Sequence, residues 1–175
     1  MYKRILAALD MREPAVFEAA LSLASATGAY LMLIHVLSNR DSDSPMTPAA
    51  TAWDYSTPLS QKAWEVYQKQ WKAYAQQGLD RLQDYVEKAA AAGVKADFLQ
   101  TASSPEQGIC QSAETWRADL IVVGSRRRKG LQELLLGSVS NYVMHHAGCS
   151  VLIVSLAHDP QERSADPTFS PSSAA

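Results

Sequence analysis

The six residues ILAALD, at positions 5–10, decide the fold class of this chain, because an unbroken apolar run ends there at a single acidic residue. A β-strand buried on both faces has this pattern, whereas a strand with one solvent-facing side alternates apolar and polar residues. The run LIVV at positions 120–123 repeats the pattern and ends at Gly124. Both runs therefore predict central strands of a parallel sheet.

Helical segments separate the apolar runs. Strands are predicted at residues 5–9, 31–37, 94–101, 120–123 and 150–156, and helices at residues 14–28, 61–92, 104–117 and 138–147. Parallel strands need crossover connections, and right-handed crossovers place helices on both faces of the sheet. The predicted fold class is α/β, an open parallel sheet of these strands with helices on both faces. Gly78 is expected to bend or interrupt the second helix.

Two segments depart from this alternation. Residues 38–60 are rich in Asp, Ser, Thr and Pro and form a long irregular insertion. Loops of this length inside a compact domain are usually functional lids or disordered. The last residues, 158–175, are again polar and Pro-rich, and they cannot bury enough apolar surface to fold. We therefore predict one domain over residues 1–157 and a disordered tail.

The composition excludes several classes of protein. The chain has 175 residues, a formal net charge of −2 and no apolar stretch long enough for a membrane helix. Neither nucleic acid nor an anionic membrane is expected as the main partner, because both call for a basic excess. Cys110 and Cys149 lack metal-ligand spacing, and free thiols are favoured over a disulfide. No metal site is expected. The first apolar run is too short for a secretory signal, so we expect a cytoplasmic protein.

Four aromatic residues lie near helical spacing in the second helix. They are Trp64, Tyr67, Trp71 and Tyr74. Packing of this aromatic face on the sheet or on the insertion is favoured, and a platform for base stacking is the alternative.

The segment from Gly124 to Ser140 carries the groups that a phosphate would need. Gly124 ends a strand, where the lack of a side chain lets another group approach the backbone. Gly137 and Ser138 open a helix, whose free N–H groups and positive dipole end attract anions. Ser138 and Ser140 offer hydroxyls, and residues 126–129 are all basic. The segment predicts a phosphate site at the carboxyl end of the fourth strand.

Other interpretations of this segment stay open. A glycine followed by basic residues is also typical of a solvated loop, and Gly-Ser is a common helix cap. Neither the Walker A spacing nor Gly-x-Gly-x-x-Gly is present. His35, His145 and His146 are predicted to be structural or solvated, so no catalytic residue is assigned. Nucleic-acid binding through residues 126–129 is the least favoured function.

Several stretches of the chain resemble universal stress proteins. They are GSR at 124–126, LLLGSVSNYV at 134–143, HAGCSVLIV at 146–154, KRILAALD at 3–10 and LIHV at 33–36. The resemblance implies a Rossmann-like fold of the adenine nucleotide alpha-hydrolase type, with strand order 3-2-1-4-5. It also implies a homodimer that pairs through the last strand, at Val151–Val154. Such pairing would cover an open strand edge.

The resemblance further implies an adenine nucleotide as ligand, either ATP, ADP or AMP, with Mg²⁺ accompanying ATP. Asp10 would accept a hydrogen bond from the ribose or adenine, Ala8 would line the same pocket, and Val36 would meet the adenine edge through its backbone. Asp10 as a helix cap and Val36 as a core residue are the alternatives. The full set of residues implied is Ala8, Asp10, Val36, Val123, Gly124, Arg127, Gly137, Ser138, Val139 and Ser140.

The chain departs from the family pattern at Arg127. The nucleotide-binding branch has Gly, two residues, Gly, nine residues, Gly, then Ser or Thr, and Arg127 occupies the second glycine position. Arginine restores charge but either blocks the approach of the loop to the phosphates or demands a shorter phosphate chain. A regulatory, nucleotide-sensing stress protein with an unidentified protein partner is the favoured function. A nucleotide-independent dimeric interaction protein and a slow ATPase are the alternatives.

Overall fold

A computed structural model describes residues 1–12, 14–39, 43–48, 58–126 and 137–156. Five parallel strands form one sheet in the order β3-β2-β1-β4-β5. The strands are β1 (Arg4–Ala8), β2 (Tyr30–Leu37), β3 (Ala96–Ala102), β4 (Leu120–Arg126) and β5 (Ser150–Leu156), and the helices are α1 (Ala15–Thr27), α2 (Pro58–Ala91), α3 (Pro105–Trp116) and α4 (Ser138–His146). This architecture and strand order confirm the predicted fold class.

Both faces of the sheet are buried, and each face has its own hydrophobic core. On one face, Ile5 and Leu31 pack with residues of α1 and α2. On the other face, Leu6 and Ile34 pack with residues of α3 and α4. Successive side chains of a strand point to opposite faces. An unbroken apolar run is therefore needed to fill both cores at once.

Some element boundaries differ from the predicted ones. β4 extends to Arg126, beyond its apolar run, because Gly124, Ser125 and Arg126 all pair with β5. α2 begins at Pro58, so the end of the predicted irregular insertion is helical. The predicted tail, 158–175, lies outside the described residues. Gly28 ends α1 in the left-handed conformation, as expected for a C-terminal cap.

Gly78 does not interrupt α2, which is one continuous helix of 34 residues. A Cβ atom at this position would lie 2.4 Å from Gln100 Nε2 and 2.7 Å from His35 Nδ1. Gln100 also donates a hydrogen bond of 3.1 Å to the Ala75 carbonyl, and its Nε2 lies 3.1 Å from His35 Nδ1. The predicted interruption of the helix is wrong. The glycine instead lets α2 lie directly against His35 of β2 and Gln100 of β3.

We expect the substitution Gly78→Ala to lower the free energy of unfolding by about 1–2 kcal/mol, measured by chemical denaturation. Alanine in a helix is normally more stable than glycine by about 1 kcal/mol, so the sign itself is informative. Gly148→Ala is the matched control, since a Cβ at Gly148 would meet nothing within 4 Å. A stabilised Gly78→Ala variant would show that His35 and Gln100 yield easily and do not restrain the helix.

Candidate functional site

β1 ends early, and its end leaves a notch in the sheet. Ala8 is the last residue of β1 and lies opposite Ile34 and Val123. β2 continues three residues further, to Leu37, and β4 continues three residues further, to Arg126. The chain turns away from the sheet at Asp10. In the order β3-β2-β1-β4-β5, the connection after β1 leads to one side and the connection after β4 leads to the other, and ligands of open α/β sheets bind at such a point.

Backbone groups of both neighbouring strands face this notch. The Leu9 N–H donates to the Ile34 carbonyl at 2.9 Å, so Ile34 bonds toward β1. Backbone groups alternate sides along a strand, and Val36 therefore directs its N–H and C=O to the same side, beyond the end of β1. On the other side, the Asp119 N–H donates to the Arg4 carbonyl at 3.0 Å. The same alternation directs the backbone of Ser125 into the notch.

The buried residues at the notch contribute backbone and not side chains. The Val36 and Val123 side chains lie in the core under α3 and α4, and Ala8 packs against the same cluster. Val36 is thus a core residue by its side chain and a notch residue by its backbone. The two interpretations considered for it are compatible.

Asp10 shapes the turn that follows β1. Its carboxylate accepts a hydrogen bond of 3.1 Å from the Arg12 N–H. Met11, between them, adopts a positive φ of 63°, which is uncommon for a residue with a side chain. α1 starts later, with Pro14 as its N-cap and no side-chain hydrogen bond to the cap. Asp10 therefore holds the loop beside the notch.

Two arginines fix this turn to other parts of the molecule. The Arg12 guanidinium forms a bidentate contact with Asp43, with Nε–Oδ2 at 2.9 Å and Nη2–Oδ1 at 2.7 Å. Arg81, on α2, donates a hydrogen bond to the Met11 carbonyl. The loop after β1 is thus tied to α2 and to the described part of the insertion.

The N-terminus of α4 lies next to the end of β4. The Gly137 N–H points at Ser125 Oγ, 3.5 Å away. Ser140 donates its hydroxyl to the Gly137 carbonyl at 3.0 Å, and its exposed fraction is only 1%. The Ser140 hydroxyl is therefore committed inside the helix, contrary to the expectation that it is offered to a phosphate. Ser138 is exposed and keeps its place at the helix start.

Gly137 is a glycine that the fold itself does not require. Its φ is −58° and its ψ is 154°, values that any residue adopts. A Cβ built there would have Ser140 Oγ as its nearest neighbour, at 3.7 Å, an ordinary contact. Among the described residues, no atom comes closer to the place of the missing side chain beside the helix N-terminus. Val139, half-buried, packs against the core in the same turn.

The structure brings most of the predicted residues to one edge of the sheet. Ala8, Asp10, Val36, Val123 and Gly124 lie near the carboxyl ends of the strands or directly after them. The start of α4 lies beside the end of β4 and contributes Gly137, Ser138, Val139 and Ser140. Arg127 lies outside the described residues. Ser125 was missed, although it is buried and its backbone faces the notch. Ser125 belongs to the site because β4 extends past its apolar run. The composition of the sequence does not reveal that extension.

The remaining candidate groups do not converge on the notch. Burial raises the pKa of the Cys110 and Cys149 thiols, and both cysteines are free, as expected. Within the described ranges, no cluster of three or more His, Cys, Asp or Glu is suited to a metal ion. No helix in the same part of the chain is both long and apolar enough to cross a membrane.

Comparison with known proteins agrees with this geometry. The model of the universal stress protein family matches residues 1–155. The chain belongs to the universal stress protein family. It is 34% identical to the universal stress protein Sll1388 of Synechocystis over 155 residues, which is 87% of this chain and 97% of that protein. It is 48% identical to Slr1101 of the same organism over 90 residues, 51% of this chain and 83% of that protein.

Solved structures of universal stress proteins share the fold. UspA from Lactobacillus plantarum has a TM-score of 0.65 at 22% identity, over 87% of this chain and 97% of that one. A family member from Arabidopsis thaliana with AMP bound has a TM-score of 0.53 at 22% identity, over 94% and 97%. A universal stress protein in complex with cAMP has a TM-score of 0.52 at 21% identity, over 89% and 98%.

In this universal stress protein, replacing each of the two serines at the α4 N-terminus should change the free energy of unfolding by different amounts. We expect Ser140→Ala to lower the free energy of unfolding by about 1 kcal/mol, because it removes a buried hydrogen bond. Ser138→Ala, at an exposed position of the same turn, should stay within about 0.5 kcal/mol of the wild type. Equal effects in urea denaturation would show that the Ser140 hydroxyl does not hold the helix start.

Proposed function

We propose that this chain is a cytoplasmic regulatory stress protein that binds an adenine nucleotide in the notch after β1. The early end of β1 carries the proposal. It leaves the backbone of Val36 and of Ser125 facing one gap, with the N-terminus of α4 beside it. Backbone donors and acceptors on one side suit an adenine ring, and helix N–H groups on the other suit phosphate.

The proposed placement gives each residue a role. The adenine lies against the backbone of Val36, and Asp10, half-buried at the notch, accepts a hydrogen bond from the ribose. The phosphates lie over Gly137, whose missing side chain leaves space for them, and take hydrogen bonds from Ser138 and from the amides of the first turn of α4. The family members crystallised with AMP and with cAMP support this class of ligand. Mg²⁺ would be needed only with ATP.

A regulatory role is favoured over fast catalysis, because no described histidine lies at the notch and the Asp10 carboxylate there accepts the Arg12 N–H and is assigned to the ribose. His35 is 2% exposed and lies against Gln100 on the α2 side of the sheet. His146 stacks on Tyr142, with ring centroids 3.8 Å apart, and its Nδ1 lies 2.8 Å from the Tyr142 carbonyl. Binding would instead act on the turn after β1, which Arg12 and Arg81 tie to the insertion and to α2.

Isothermal calorimetry with AMP, ADP and ATP tests the nucleotide site. We expect Gly137→Ala to weaken binding at least about tenfold, or about 1.4 kcal/mol, because the methyl group fills the space left for phosphate. The fold should be unchanged, since the added Cβ makes only ordinary contacts. Gly148→Ala, which adds a methyl group away from the notch, is the matched control.

The same titrations with Arg127→Gly distinguish the two alternatives for the loop. A gain in affinity for AMP, ADP and ATP alike would show that the arginine blocks the approach of the loop, whereas a gain for ATP alone would show that it demands a shorter phosphate chain. Native mass spectrometry of the freshly purified wild type should show a retained adenine nucleotide. No retained nucleotide, together with no heat from any of the three ligands in either protein, would refute the nucleotide site.

The dimer proposed for this chain pairs β5 with its copy. Among the described strands, β5 is at the edge of the sheet, and none of them pairs with its outer backbone groups. Val151 and Ile153 pack against the core under α3 and α4, so a charge there would also disturb folding. Leu152 points to the other face and is 37% exposed, which makes it the cleaner position to change.

We expect Leu152→Lys to shift the protein from dimer to monomer in light scattering at micromolar concentration, because the two-fold axis would bring like charges together. Met144→Lys is a suitable control, since Met144 is similarly exposed, at 41%, but lies on α4. A Leu152→Lys protein that stays dimeric with a native circular dichroism spectrum would exclude pairing through β5.

A further inference from the structure

A row of mostly apolar residues lies on α2, away from the notch. Leu59, Ala63, Val66, Gln70 and Ala73 follow one another at spacings of four, three, four and three residues. Residues at these spacings lie along one side of a helix. We call this row the α2 seam.

The α2 seam belongs to the half of the helix that extends past the sheet. The buried apolar residues of α2 are Leu82, Tyr85 and Ala89, all in its second half. Gly78 lies against His35 and Gln100, near the carboxyl ends of β2 and β3. A helix of 34 residues is about 51 Å long, whereas strands of five to eight residues span about 17–27 Å. The N-terminal half of α2 therefore projects beyond the strands.

The aromatic residues of this half occupy the neighbouring side of the helix. Trp64, Tyr67, Trp71 and Tyr74 are half-buried, and each ring contacts the next, with centroids 5.5, 6.1 and 5.7 Å apart. The row ends where Tyr74 meets His35 edge to face, at 6.2 Å. Packing on the sheet, as predicted, holds for Tyr74. The aromatic row occupies one side of the projecting half, and the α2 seam lies on the neighbouring, more exposed side.

A groove runs along the α2 seam. Met46 and Pro48 form its second wall, and Leu59, Ala63, Val66 and Tyr67 line it from α2, with Lys62 and Gln70 at its rim. Its volume is about 360 Å³. Met46 is 90% exposed, Leu59 80% and Val66 48%. Large apolar side chains exposed together on a soluble surface usually mark a site of interaction.

The shape of the groove distinguishes among partners. A shallow groove with α2 on one side and Met46 and Pro48 on the other accepts the apolar side of a rod such as an α-helix, and amphipathic helices bind in this way. A membrane surface instead meets the convex apolar face of a helix that lies on it. The geometry favours a helix.

The charges beside the groove define the partner further. Lys62 and Lys69 flank the α2 seam on the same side, seven residues apart, and Glu65 is the one acidic residue among residues 58–77. An antiparallel second copy of α2 would place these lysines against the same lysines. Acidic residues flanking an apolar seam would pair with them and steer the encounter.

We propose that the groove along the α2 seam is a docking site for an acidic amphipathic helix of a partner protein. The partner would insert apolar side chains at heptad spacing between Val66 and Met46, and its carboxylates would meet Lys62 and Lys69. This site is separate from the notch, and the proposal does not depend on nucleotide binding.

Fluorescence anisotropy with the full chain tests this site. The probe is a labelled synthetic helix of eighteen residues, with Leu at the heptad a and d positions and Glu and Ala elsewhere. The same peptide with Lys in place of Glu is the charge control. We expect saturable binding of the acidic peptide, and binding of the basic peptide at least about tenfold weaker.

Three variants connect the binding to the groove. Val66→Glu, and the double change Lys62→Glu with Lys69→Glu, should each weaken binding of the acidic peptide at least about tenfold. The double variant should in turn prefer the basic peptide. Lys88→Glu, the same charge change in the second half of α2, should leave the affinity within about twofold. Circular dichroism checks that each variant keeps its fold.

Other outcomes would overturn the proposal. No saturable binding of the acidic peptide, equal binding of both peptides, or binding that survives Val66→Glu would each reject an acidic helix as the occupant. Sedimentation with phosphatidylglycerol vesicles that is lost in Val66→Glu would assign the groove to a membrane surface. A monomer–dimer equilibrium that shifts in Val66→Glu but not in Leu152→Lys would assign it to a second copy.

Discussion

The length of β1 is the constraint on which the rest of this molecule depends. β1 is the central strand, buried on both faces and bonded to β2 and β4, yet it stops three residues before either neighbour ends. A longer β1 would have formed hydrogen bonds with the backbone groups of Val36 and Ser125. The sheet would then have had no gap at this end. Its early end instead creates a gap lined by polar backbone groups inside an otherwise apolar sheet. Polar backbone groups in such a setting are normally hydrogen-bonded, which suits the gap to a polar ligand or to water.

The elements around the gap are held by unequal means. Its floor is rigid, because Val36, Val123 and Ala8 belong to a continuous hydrophobic core. Its upper side is a turn held by polar contacts, from Asp10 to the Arg12 N–H and from Arg12 to Asp43. Exposed ion pairs of this kind contribute little to stability, typically about 0–1 kcal/mol. A site with a firm base and a weakly held turn can admit and release a ligand without unfolding.

Much of the fold could be predicted because burial on both faces leaves a direct trace in composition. The apolar runs located β1, β2, β4 and β5, partial alternation of apolar and polar residues located β3, and the family resemblance supplied the strand order. Features that depend on pairing, and not on composition, were not predictable. β4 continues through Gly124, Ser125 and Arg126 because β5 pairs with them, although none of the three is apolar. The role of Gly78 was not predictable for the same reason. It depends on the side chains of His35 and Gln100, which belong to two strands remote from it in sequence.

The continuity of α2 across Gly78 has a mechanical consequence. A single helix is stiff along its axis, so its outer end and its inner half move as one body. The outer end carries the apolar row that begins at Leu59, and the inner half holds the Met11 carbonyl through Arg81. A shift of the outer end would therefore move Arg81 and the Met11 carbonyl beside the gap. The helix would pivot where Gly78 contacts His35 and Gln100. A break in the helix at that glycine would have disconnected the two ends.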